Sequence, residues 1–543
     1  MAAASPTSSS RWLYGPVPDL LLGCGLWYFI AFELFATYGA EIRRGGGLIW
    51  APILMLLLGV PHHGATLLRV YEQRRDRRAY ALFSVWATLL IWGAFAVGVY
   101  DSWVGSVVLT VFLTWSPWHY TGQNYGIAVM FLRRNGVDLP PRVKRWLYAS
   151  FILSFLLTVI VMHHGDAGSS YSAVPYDLSG YNFLSLRIPF ARYLFLAVGA
   201  AYLLSLAVTA AALLRRAALK QLAPAAWLVA SQALWFSIPV ALRSWNVHTG
   251  LDVFETAPEY YFLWIGVAHA VQYLWITSYY ARSSPNWPGQ ARYFGKALLA
   301  GALVWTLPSL IFAPGVLGRL PFDAGLAALI AATVNLHHFV LDGAIWKLRD
   351  GRVARILIRR EAEDADAQES VPATGAFGRR LVWAIGAVCA GVMFVYTWEG
   401  YFGLRQALPR GDLERVGVAL QRLSWLGRDN PQARAAYGTQ WLRGGDPERA
   451  AAEFRRALEL QETPQLWKAL ASAYGRQERW AEAAAAYEAG YALPPRDPQL
   501  LHEAAVAWLE AGDAERARAA AERVLAADPG RESTRQLLAS LGP

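Results

Sequence analysis

The sequence predicts an all-α chain in two parts. A polytopic membrane bundle of about eleven transmembrane helices comes first, and an α-solenoid follows. Three observations carry this. The chain has 543 residues, 55% hydrophobic and 17% charged with 24 Trp, and the apolar residues are gathered in long runs, as in a membrane protein. Arg and Lys collect in alternate short segments between those runs, which is what the positive-inside rule produces. Past residue 431 the chain turns rich in Ala, Glu and Arg and begins to repeat.

The apolar runs fall at 18–37, 47–68, 79–100, 103–132, 146–163, 191–214, 225–243, 258–280, 293–314, 322–346 and 380–398. Each is near the roughly 20 residues that a helix needs to span a bilayer. The fourth is longer, and reads as a tilted helix or as one broken at Pro117. The start, MAAASPTSSSRWLYGP, lacks a basic leader region and a clear cleavage site. Residues 1–17 are therefore expected to be a tail before a retained first helix.

The loops after the second, fourth, sixth, eighth and tenth runs are basic, and the intervening ones are poorer in Arg and Lys. That pattern puts the N-terminus in the cytoplasm and everything past 398 outside it, with 18–398 as the membrane domain. The formal net charge of +10 follows from the same loops and does not imply nucleic acid. Short loops and the lack of a sorting segment point to a bacterial inner membrane. The segment 361–375 is acidic, polar and contains Pro and Gly, and is read as a flexible linker. The two cysteines, Cys24 and Cys389, sit in distant apolar runs and give neither a disulfide framework nor a thiolate site.

In the last part, 431–543, Trp441, Tyr474 and Trp508 are 33 and 34 residues apart, and Ala450, Ala483 and Ala517 keep the same spacing. Pro495 and Pro529, with Pro464 more loosely placed, punctuate the repeat ends. This pattern resembles the tetratricopeptide repeat, about three units of it. Gly445 and Gly512 stand at the turn glycine, where the middle unit has Glu478. The resemblance implies a stacked solenoid that binds a protein or peptide partner. Residues 399–430 are expected to be a connector, in the form of a degenerate helix pair.

Of the ten histidines, six carry the chemistry. His62 and His63 lie in GVPHHGATL, His119 in WSPWHYTGQNYG, His269 in GVAHAVQYLW, and His337 and His338 in NLHHFVLDG. All four segments belong to helices that run from outside to inside by the charge argument. Counted back from the basic loops, the histidines lie roughly 8–20 Å from the cytoplasmic ends. Four helices thus bring imidazoles to one layer of the membrane, where a bundle interior is the place that accommodates them.

Neutral imidazoles converging in a dry site suit a transition metal: iron, zinc, copper or nickel. The bland alternative is interhelical hydrogen bonding; proton relay is a third. Adjacent side chains point about 100° apart on a helix, so one of His62/His63 and one of His337/His338 is expected as a ligand, and the spacing does not choose. Gln123, Gln272 and Asn335 are candidate partners for the ligands' second nitrogens. Asp342, four residues after His338, is a candidate ligand or orienting group, and Tyr120 and Tyr125 are candidate proton donors. His163, His164 and His248 belong to the outer side and read as solvated loop residues or a second, outward site. His502 has an ordinary surface or packing role.

With PHHG, WHYTGQNYG, AHAVQYLW and HHFVLDG in hand, the membrane half, about 50–350, resembles the Brp/Blh family of bacterial membrane carotene dioxygenases. That resemblance implies iron held by His62 or His63, His119, His269 and His337 or His338. Two features depart from it: the early motif runs Pro-His-His-Gly-Ala-Thr without an acidic residue soon after, and a repeat domain is appended.

The expected function is therefore oxidation of a hydrophobic molecule by a membrane oxygenase or hydroxylase with non-haem iron, haem or another transition metal being possible. The HxxxH and HxxHH boxes of membrane desaturases are missing. A second class is a membrane glycosyltransferase with outward repeats, resembling the protein O-mannosyltransferase-like enzymes. Those need an acidic pair in a large first outer loop, whereas residues 38–46 offer only Glu41. A third is a non-enzymatic scaffold or a haem electron-transfer protein.

Overall fold

The computed structural model describes residues 11–44, 53–72, 80–165, 181–245, 258–283, 287–346, 351–359 and 375–541. The first ten residues of the tail, residues 166–180 between the fifth and sixth runs, His248 and the linker expected at 361–375, apart from Gly375, lie outside them. All regular elements among the described residues are helices. They form two compact units: Met1–Pro308 with Ala327–Met393, and Ser309–Leu326 with Phe394–Pro543. The segment 309–326, which the sequence assigns to the membrane domain, therefore groups with the C-terminal part.

Each apolar run is largely helical where it is described, with breaks at Cys24–Gly25 and past Ile311. Among the described residues of the whole chain, six helices are long and apolar enough to cross a membrane, or seven if the pair Pro16–Gly23 and Leu26–Tyr38, bent by 60°, is one span. That is fewer than the eleven expected from the runs. Two of the missing helices, Ser102–Arg134 and Pro258–Arg282, carry the histidine, glutamine and serine side chains that lower their hydropathy. The long fourth run is one unbroken helix, Ser102–Arg134, with Pro117 inside it. It begins at Asp101, whose carboxylate accepts from the amides of Trp103 and Val104.

The other early proline reshapes its helix. Pro61 follows a π-helical segment, Met55–Gly59, and stands in the first turn of Val60–Tyr71. A wider turn relieves the clash between a proline ring and the carbonyl four residues back. Gly64 in the same helix is set by packing: a Cβ there would lie 1.8 Å from the Ala297 carbonyl oxygen. Gly301 meets the Val60 oxygen at 1.9 Å in the same way. Two glycines thus let the Val60–Tyr71 and Gln290–Ile311 backbones touch, as small residues do between membrane helices. That contact fixes the depth and rotation of His62 and His63.

In the second unit helices start at Pro431, Pro447, Pro464, Trp480, Pro498 and Ala514, a helix pair every 33 or 34 residues. Asn430, Asp446, Thr463, Asp497 and Asp513 cap five of them through side-chain oxygens. Gly445 and Gly512 turn between paired helices with φ of 83° and 79°, and Glu478 takes the same left-handed conformation at 59°. Ala450, Ala483 and Ala517 are buried where a larger side chain would separate the pair. The connector region holds Ala407–Arg410 and Leu413–Trp425. There the buried Glu399 carboxylate is gripped by Arg415 and Arg422, each at 2.6 Å.

Candidate metal centre

Four helices of the first unit, Val60–Tyr71, Ser102–Arg134, Pro258–Arg282 and Leu326–Ile345, bring His62, His119, His269 and His338 together. The ring of His62 lies 4.2 Å from that of His338 and 4.7 Å from that of His269, centroid to centroid. His119 lies 4.8 Å from His269 and 4.9 Å from His338. His62, His269 and His338 are 3%, 1% and 2% exposed. The Nε2 atoms of His62, His119, His269 and His338, and Nδ1 of His269, are buried without a hydrogen-bond partner. Buried polar atoms are nearly always paired, so a cluster of unpaired ones requires a reason.

Asp342 completes the group. Its Oδ1 accepts from Tyr273 Oη at 2.5 Å and from Thr66 Oγ1 at 3.2 Å. Its Oδ2 faces His338 Nε2 at 3.7 Å and His119 Nε2 at 3.8 Å. Ligand atoms of His62, His269 and His338 lie within 4.8 Å of one another, and so do those of His119, His338 and Asp342. This set of side chains can hold a metal ion. The network also orients a ligand. Thr66 Oγ1 is 2.8 Å from His338 Nδ1. With the Thr66 proton given to Asp342, His338 Nδ1 carries its proton toward Thr66, which leaves the Nε2 lone pair aimed at the centre.

Within each adjacent pair the structure separates the two histidines. His63 has Nδ1 2.8 Å from the Gly59 oxygen and 3.3 Å from Trp305 Nε1, and Nε2 3.3 Å from Asn335 Oδ1. His337 Nε2 is engaged by Thr88 Oγ1 at 2.9 Å and Tyr71 Oη at 3.4 Å, and its ring packs on Trp92. His63 touches the cluster through its ring but has no nitrogen to spare. His337 points to a different helix. His62 and His338 are the members with a free Nε2.

Several expected roles are corrected. Gln123 donates to the His269 carbonyl oxygen and to Gln272 Oε1, and Gln272 donates to the Gly23 carbonyl. Neither reaches an imidazole nitrogen, because each faces the backbone of a neighbouring turn. Asn335 meets His63 rather than a histidine with a free nitrogen. Tyr125 packs on Tyr148 and Phe151, well removed from proton-donor duty. Tyr120 does belong here, its ring 4.4 Å from that of His269. His163 is not solvated: it is buried, with Thr114 Oγ1 at 2.9 Å and the Leu186 amide at 3.2 Å on its two nitrogens. His164 is exposed.

Sequence reasoning missed Thr66 and Tyr273. Each stands four residues after a cluster histidine, His62 and His269, and so on the same helix face. That spacing was a readable signal. Trp346, whose indole donates to Tyr273 Oη at 3.1 Å, stands four residues after Asp342 in the same way.

A cavity of about 290 Å³ adjoins the cluster, with His119, Tyr273 and Asp342 in its wall. Trp115, Trp118, Phe339 and Trp346 make much of the remainder. No protein-family model matches the chain, and no curated protein matches it either.

Proposed function

We propose that the chain is an integral-membrane, metal-dependent oxygenase or hydroxylase that acts on a hydrophobic substrate. The observation that carries this reading is the convergence of four imidazoles with unpaired nitrogens and one carboxylate oxygen in a buried site beside an aromatic cavity. His62, His119, His269 and His338 would be the metal's nitrogen ligands and Asp342 its oxygen ligand. Imidazoles with a single carboxylate, as in the His119–His338–Asp342 group, are the donor set of non-haem iron. Imidazole rings packed 4.2–4.9 Å apart leave no slot for a porphyrin, which disfavours haem. Such an iron supplies oxygen activation when bound.

The chain's own residues account for the rest. Tyr273 and Thr66 hold one oxygen of Asp342 and so turn the other inward. Trp346 donates to Tyr273, which leaves the phenol proton for Asp342. Tyr120 covers the His269 face and excludes water. The C-terminal helix pairs read as a tetratricopeptide-like solenoid for a protein or peptide partner. The loop charges support eleven crossings with the solenoid outside the cytoplasm, and the short loops support a bacterial inner membrane.

The test is elemental analysis of detergent-purified protein beside two double variants. Near-stoichiometric iron that disappears in His119→Ala/His269→Ala and persists in His63→Asn/His337→Asn supports the assignment. A parent that holds no transition metal after gentle purification and reconstitution sinks it.

A further inference from the structure

The three glycines around the cavity do not share the reason that Gly64 and Gly301 have. A Cβ built on Gly122, Gly126 or Gly343 meets nothing within 4 Å. None of the three takes a positive φ. Glycine within a helix costs about 1 kcal/mol relative to alanine. Neither packing nor backbone conformation explains its use here, whereas all three border the cavity.

On Ser102–Arg134, Trp115, His119, Gly122 and Gly126 follow one another at steps of four, three and four, which is one stripe of a helix. The two glycines make that stripe a trough. Ile276 and Phe339, from two other helices, help to form the facing walls, and both are apolar. Trp115 and Trp118 are 37% and 40% exposed on the flank, and Gly122 is exposed, so the trough reaches the outer surface of its helix. At the metal centre it meets His119, whose side chain is 9% exposed and whose Nε2 has no hydrogen-bond partner.

We propose that this cavity is a laterally open substrate groove for one slender, unbranched apolar chain drawn from the bilayer, with Gly122, Gly126 and Gly343 setting its bore. The proposal rests on the metal-centre reading for its chemistry but not for its shape. A volume of about 290 Å³ lies at the low end of ligand cavities. It admits the reacting portion of a long molecule and leaves the remainder in lipid.

The experiment uses the full chain in lipid nanodiscs with a hexadecyl diazirine as photoprobe and mass spectrometry to locate the adducts. The parent should be labelled on peptides that hold Trp115, Ile276 or Phe339. Gly126→Leu and Gly343→Leu should lose that labelling by about tenfold or more, the loss expected when one side chain overfills a packed pocket. Their metal content and thermal unfolding should match the parent's, and the latter shows that they are folded. Should Gly126→Leu fail to fold, Gly122→Leu, at an exposed position, carries the same test. Labelling that persists in metal-loaded variants, or that never reaches these peptides, overturns the groove. A metal-free parent whose labelling is still lost in the variants keeps the groove and removes the oxygenase reading.

Discussion

In the second unit Arg434, its side chain 4% exposed, is held by Asp429 at 2.7 Å and Glu453 at 2.6 Å. In the first unit His269, 1% exposed, has neither ring nitrogen in a hydrogen bond. Both are polar groups taken out of water, and they are treated in opposite ways. The Arg434 charge is matched by its neighbours, as stability demands. The imidazoles in the first unit are brought together with their lone pairs open. Like groups with unmatched acceptors gain nothing from one another, so an arrangement that gathers them makes sense once an electrophile shares the site. The comparison separates buried polarity that holds a fold from buried polarity that could hold a metal ion.

The largest effect that would break this contrast comes from removing one member of each. Arg434→Met leaves two carboxylates without their cation and should cost about 3–5 kcal/mol of stability. His269→Leu in metal-free protein removes an unpaired group. It should leave stability unchanged or raise it, by up to about 1–3 kcal/mol. Denaturant unfolding of both variants in detergent measures the difference, and a comparable loss in each would erase the distinction.

A smaller change sharpens it. Tyr273→Phe or Thr66→Val leaves every proposed ligand in place but frees Asp342 from its anchors. Metal affinity should fall about 10–100-fold, as for other groups that orient ligands. Competition with a chelator reads this directly, and an unaltered affinity would show that Asp342 is not a ligand.

The smallest effect lies in the repeats. Burial, and then the Arg531 charge, hold His502 below its ordinary pKa, and Thr534 Oγ1 lies 2.9 Å from its Nδ1. As pH falls through the ordinary histidine range, the unfolded chain therefore takes up this proton before the folded one does. Stability contributed here is present at neutral pH and is lost on acidification. Hydrogen exchange over Pro498–Glu510, corrected for its intrinsic rate, should be faster at about pH 5 than at about pH 7. His502→Gln should abolish that difference; a difference that survives the substitution would place the sensitivity elsewhere.

Much of the fold was legible because it is local. Helical runs, capping residues and a period near 34 depend on neighbours along the chain, and Asp446, Thr463 and Asp513 cap helices at the turns the repeat marks out. The common depth of His62, His119, His269 and His338 was legible too, since depth along a helix is counted in residues. Rotation and partner choice were not. Which of His62 and His63 turns inward depends on a π-turn before Pro61 and on the Gly64–Ala297 contact, 233 residues apart in the chain. Tyr125 left the site and Tyr273 entered it for the same reason. The sequence alone determined that imidazoles lie in one layer of a helical bundle, because helix periodicity and burial of apolar runs are properties of short segments. Only the tertiary structure decided which nitrogens remain unpaired and which wall is hollow, because a hydrogen-bond partner and a cavity are both set by helices distant in sequence.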